Sequence, residues 1–154
     1  MAEQPQTSSA QTAQPQQPVD PFIKCKEITS KNADFYDIDT RFRTENVEKT
    51  AVNFEKRSFH GRAGKQYVFL AAHAALDSPN SEKATEKFIE FLKKAVQNYE
   101  KYLPEVIEKH KPAYKQIIDN LKFMLANPDA AFKAEVDILR KTGKIKTLGL
   151  QLAK

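Results

Sequence analysis

The chain has a single cysteine, Cys25, among its 154 residues, so it can form no intrachain disulfide and build no cysteine-based zinc site. It has no apolar run near the roughly 18 to 20 residues that a membrane-spanning helix needs. Its N-terminus lacks a basic segment followed by an apolar stretch, and it lacks the arginines of a transit peptide, so neither secretion nor organelle import is signalled. A cytoplasmic location is the default expectation. Histidine is scarce and scattered: His60, His73 and His110 lie far apart, and no His-x-x-x-His or Glu-x-x-His pair offers metal ligands at zinc-binding spacing. No metal or cofactor is expected, and no small-molecule substrate is evident.

Residues 1–21 also lack Lys, Arg, aromatic side chains and any apolar periodicity; Gln, Pro, Ser, Thr and Ala dominate. A segment with so little to bury cannot offset its ordering entropy and reads as a disordered tail. What remains, 22–154, has the length of one domain with a real core. Only Glu3 and Asp20 of the 20 acids lie in the tail, which leaves 18 acids against all 25 basic residues, so this body carries about +7 where the whole chain carries +5. A basic body is compatible with nucleic acid, an acidic protein or an anionic membrane surface, and is also common among proteins that bind none of these. With 40% hydrophobic and 29% charged residues, the chain is otherwise ordinary for a globular protein.

From Val47 onward apolar residues recur at three- and four-residue steps, the spacing of one helix face. The expected fold is all-α, a bundle of about five helices preceded by an irregular 22–46 segment. In that segment Phe22, Ile23 and Ile28 could form a short strand, and Phe35, Tyr36, Ile38 and Phe42 could anchor the chain on the core. Val47, Ala51 and Phe54 mark a first helix ending near Ser58, and Gly61 and Gly64 then break the chain. A second helix, Lys65 to Leu76, is apolar nearly all round and should be buried. Ser81 is the expected N-cap of the third and clearest helix, whose stripe runs through Ala84, Phe88, Phe91, Leu92, Ala95, Tyr99, Tyr102 and Leu103. Pro104 opens a short helix that Pro112 stops or kinks. A stripe of Tyr114, Ile117, Ile118, Leu121, Met124 and Leu125 follows, then a last helix from Asp129 to Thr142 carrying Phe132, Val136 and Leu139, with Gly143 as its cap. The aromatic faces of the third helix and of the helix from Ala113 should pair, burying Phe88, Leu92, Ile117 and Leu121. Residues 144–154, with Leu148, Leu150 and Leu152 alternating, suggest an edge strand or a basic arm.

Catalytic patterns are thin. Cys25 sits between Lys24 and Lys26, which could lower its thiol pKa, yet no His is near in sequence; a structural cysteine is favoured. Asp34, Asp37 and Asp39 could gather around a cation, but read better as solvated turn residues. His73, in the apolar second helix, reads as a core histidine.

Positive charge concentrates in one stretch, Arg57 to Gln66, that joins two helices and holds two glycines. It fails the phosphate-binding Gly-x-x-x-x-Gly-Lys-Ser/Thr pattern, because Phe59 stands where the first glycine belongs and Gln66 replaces the hydroxyl. Gly61-Arg62-Ala63-Gly64 resembles the GXXG loop of KH domains, which lies between two helices and clamps a nucleic-acid backbone. His60 departs from the aliphatic residue usual before that loop, and the stretch after it reads as helix where the family needs strands. The resemblance therefore covers four residues and implies backbone contact at most. Independently of it, a helix start with flanking cations is a site for phosphate or carboxylate, and Arg57, His60, Arg62, Gly64 and Lys65 are its candidate residues. The expected function is a non-enzymatic, small basic subunit of a larger assembly, contacting protein partners and RNA or DNA phosphates. A purely protein-binding adaptor is the alternative, and a small enzyme with a site assembled from distant residues is the weakest reading.

Overall fold

The computed structural model describes residues 20–36 and 44–142, all of it helix and connecting turn. Among the described residues six α-helices follow one another: α1 Pro21–Tyr36, α2 Thr44–Lys56, α3 His60–Asp77, α4 Glu82–Tyr102, α5 Lys111–Ala126 and α6 Pro128–Lys141. Two single 3-10 turns, Leu103–Glu105 and Glu108–His110, connect α4 to α5. The expected all-α bundle is what the chain forms, with one helix more than the apolar stripes suggested. No helix among the described residues is long and apolar enough to cross a membrane. The tail before Asp20, the aspartates Asp37 and Asp39, the Gly143 cap and the alternating leucines after it lie outside the described residues.

Over residues 22–36 the extra helix corrects the reading of an irregular 22–46 segment with a strand at Phe22, Ile23 and Ile28, since residues 21–36 form α1. The anchoring expected of Phe35, Tyr36, Ile38 and Phe42 falls on side chains outside the described residues. Its start was written in the sequence. Asp20 accepts a hydrogen bond from the Phe22 N–H at 2.9 Å, and Pro21 occupies the first turn, where its missing N–H costs nothing. Its buried side chains, Cys25, Ile28 and Thr29, include a hydroxyl and a thiol, which blurred the stripe. Packing against α6 supplies the rest of its stability.

α4 follows its sequence closely. Ser81 Oγ accepts from the Ala84 N–H, Glu82 complements the positive end of the dipole, and Lys101 the negative end. Its apolar stripe buries Ala84, Phe88, Phe91, Leu92, Ala95 and Tyr99. The most extensive helix pair in the molecule is α3 against α4, followed by α2 on α3 and α1 on α6. This revises the expected pairing of α4 with α5. Those helices do touch, and Phe88, Leu92 and Leu121 are buried, but Ile117 is only half-buried.

α3 starts at His60, not Lys65, so Gly61 and Gly64 lie inside a helix and do not break the chain. The break falls earlier, at Ser58, whose φ of 63° is left-handed. Here α2 closes with the Phe59 N–H bonded to the Phe54 carbonyl at 2.8 Å and the Ser58 N–H to the Glu55 carbonyl at 3.0 Å. These are the two bonds of a Schellman motif, and the Phe54 and Phe59 rings, centroids 6.3 Å apart, make its customary apolar contact. Serine occupies the position where glycine is usual.

The glycines serve helix packing. A Cβ built on Gly61 would stand 2.9 Å from the Tyr102 ring, and one on Gly64 would stand 3.0 Å from the Tyr99 ring. As the α3 partner advances from 61 to 64 the α4 partner retreats from 102 to 99, so the two helices run antiparallel. The KH-like reading of Gly61 to Gly64 as an exposed interhelical loop is thereby overturned.

Candidate functional site

The Schellman turn decides where Phe59 goes. It leaves α2 beneath Phe54, becomes the residue before α3, and remains 41% exposed. Two guanidinium groups lie over its ring: Arg57 at 5.0 Å and Arg62 at 5.6 Å from the centroid. Arg62 also lies 5.9 Å from the Phe54 ring. Cation–π attraction holds two like charges at one ring that would otherwise separate. Among the described residues neither arginine forms an ion pair.

Next to this aromatic and basic corner opens a cleft of about 440 Å³, between the start of α3, the end of α4 and the start of α5. Its α3 side presents Phe59, His60, Arg62 and Lys65; its opposite side is built from Tyr99, Tyr102, Tyr114 and Ile117, with Glu105 as its acid. The tyrosines form one cluster, Tyr114 lying 5.3 Å from Tyr102 in a T-shaped pair and 6.1 Å from Tyr99. Burial raises the Tyr114 hydroxyl pKa, and the neighbouring Tyr102 raises it further. The 3-10 turns bring Tyr102 and Tyr114 together across an interruption in which Pro104 and Pro112 prevent one continuous helix.

Behind the cleft a buried polar network ties α2, α3 and α4. Asn98, 1% exposed, donates from Nδ2 to Glu55 Oε2 and to the Lys94 carbonyl, each at 2.9 Å. The Tyr67 hydroxyl donates to Glu55 Oε1 at 2.9 Å. Because both partners of Nδ2 can only accept, the Asn98 amide has one workable orientation, and its Oδ1 faces His60 Nδ1 at 2.8 Å. Nδ1 must therefore carry a proton. Neutral His60 then has Nε2 as an acceptor, so the network sets the tautomer of a side chain that lines the cleft. Burial pushes the Glu55 carboxyl up, but hydrogen bonds from Asn98 and Tyr67 with the charges of Lys94 and Lys101 outweigh it, and the carboxyl sits below its usual range. Burial and the Glu55 carboxylate both push the Tyr67 hydroxyl up.

Of the residues singled out in the sequence, His60, Arg62 and Lys65 share the cleft, Arg57 joins them through Phe59, and Gly64 is buried under Tyr99. Sequence reading missed Asn98 and Glu55 and took the tyrosines for core alone. A signal for Asn98 existed: it is a polar residue seven positions after Phe91, on the apolar stripe of α4. Elsewhere, His73 is buried, as a core histidine should be, and Cys25 is buried with its thiol pKa raised by burial against the opposing effect of Lys24. Among the described residues no three His, Cys, Asp or Glu side chains gather as metal ligands do. No protein-family model, curated protein or solved structure shows significant similarity to this chain.

Proposed function

We propose that the protein is a non-enzymatic helical subunit that grips the phosphate backbone of a nucleic acid at the corner formed by Arg57, Arg62 and Lys65. The observation that carries this reading is the pair of guanidinium groups gathered over Phe59 with no carboxylate partner among the described residues. Two adjacent cations repel each other, and a bound anion removes that repulsion while taking charge-assisted hydrogen bonds. The uncapped start of α3 adds N–H groups and the positive end of its dipole. The basic body, about +7, favours encounter with a polyanion.

The test is binding of labelled RNA and DNA oligonucleotides by fluorescence anisotropy at several salt concentrations. Three phosphate contacts to a single strand predict a slope of log affinity on log salt of about −2. Replacing both Arg62 and Lys65 with Glu should abolish measurable binding and change stability by no more than about 0.5 kcal/mol, because both side chains are exposed. Salt-independent binding, or an unaffected double variant, refutes the reading. The protein-binding adaptor is the second reading, favoured by the exposed apolar side chains Ile23 and Ile107. It requires a partner-dependent rise in melting temperature.

A further inference from the structure

Phosphate contacts explain the arginines and leave the cleft beside them unexplained. A surface that only follows a backbone needs cations, not an aromatic recess of about 440 Å³. We infer that this cleft seats one unpaired base of a single strand, packed against Tyr102, Tyr114 and Ile117, while the attached phosphate lies on Arg57, Arg62 and Lys65. This rests on the nucleic-acid reading and adds which form of nucleic acid is bound.

Three features fit one nucleotide. The volume falls in the range of sites that enclose small ligands, which is too small for a duplex and suited to a single base. Half-buried Tyr102 and Tyr114 line it, and aromatic rings bind unstacked bases of any sequence. The polar groups are divided by chemistry: the α3 side supplies the cations Arg62 and Lys65, while the carboxylate of Glu105 on the opposite side offers only hydrogen-bond acceptors. A nucleotide matches that division, with an anionic phosphate at one end and N–H donors on its base at the other. An acidic peptide would satisfy the cations and meet Glu105 with like charge.

A steric block tests the inference without removing any buried side chain. Ala113 lines the cleft from the first turn of α5 and is itself exposed, so Ala113→Trp fills the recess and leaves the core intact. Tyr102→Leu is the second variant, keeping apolar volume but losing the ring. Both are measured with a single-stranded oligonucleotide, an abasic strand of equal length, the corresponding duplex, a nucleoside monophosphate and polyglutamate. The wild type should bind the base-bearing strand on the order of 10-fold more tightly than the abasic strand or the duplex, the scale of one stacked base. Each variant should erase that difference and leave abasic binding unchanged. Equal wild-type affinity for base-bearing, abasic and duplex forms overturns the base pocket while leaving phosphate binding standing. A monophosphate bound as tightly as the strand overturns the strand as the ligand in favour of a free nucleotide. Binding of polyglutamate alone overturns both readings.

Discussion

Midway along α3 and α4, Ala71 and Ala75 are covered, Phe91 stacks on Tyr67, and Phe88 meets Phe132 of α6 edge-on at 5.5 Å. Toward the start of α3, glycines replace these larger residues, tyrosines lie over them, and the same helix pair opens into the cleft. Ala71, Ala75, Phe88, Phe91 and Phe132 belong to one buried apolar cluster there, so these side chains end in contact with each other. At the open end α5 arrives after two 3-10 turns carrying Tyr114, and both Tyr114 and Tyr102 of α4 stay half-buried. Two carboxyls mark the same contrast. Glu135 in the interior, only 5% exposed, is pushed up to about 8 by burial, whereas Glu55 behind the cleft is brought below its usual range by donors that overcome its burial. Polar groups are provided for at the open end and tolerated in the closed one.

The largest effect should come from breaking the closed region. Phe88→Ala removes a fully buried ring and its contact with Phe132, and should cost about 3 to 5 kcal/mol in denaturant unfolding. A loss below 1 kcal/mol would show that the middle is not tightly packed. Glu135→Gln sharpens the contrast between the carboxyls. Since the folded pKa lies above the ordinary 4.5, the folded state binds the proton more strongly, and wild-type stability falls as pH rises from about 4.5 to about 8. The Gln variant escapes that loss. It should match wild type near pH 4.5 and exceed it by about 5 kcal/mol at pH 9, the size that the shift implies. Parallel stability curves against pH would exclude an ionising Glu135 in the interior.

At the open end, Gly64→Val presses on the buried Tyr99 ring and should cost about 1 to 3 kcal/mol as overpacking, measured as a fall in melting temperature. Unchanged stability would mean that α3 and α4 can move apart there. The smallest effect belongs to the turn. Ser58→Gly relieves a left-handed serine and should stabilise by about 0.5 to 1 kcal/mol while keeping the Schellman bonds. A destabilised glycine variant would indicate that the Ser58 side chain itself contributes to the turn.

How much of this was legible depended on how local the cause was. The start of α4 follows from Ser81 and the regular stripe after it, and α6 from Pro128, Asp129 and the basic Arg140 and Lys141 at its end. Such signals act within one or two turns and need no distant partner. α1 was missed although Asp20 and Pro21 announce it, because its buried face mixes Cys25, Ile28 and Thr29 and becomes a core face only when α6 lies against it. The glycines misled for a related reason. From sequence, Gly61 and Gly64 read as a break, and only Tyr99 and Tyr102, some 40 positions later, turn them into a packing groove.

By itself, then, the sequence determined the helices with strong stripes and the concentration of cations from Arg57 to Lys65, since hydrophobic period and charge are properties of neighbouring residues. Only the tertiary structure decided that those cations border a cleft. Phe59 had to be turned outward by the end of α2, Asn98 had to reach back from α4 to orient His60, and Tyr102 and Tyr114 had to meet across two prolines. Each of these steps joins residues distant in the chain through contacts that exist only once the helices have packed.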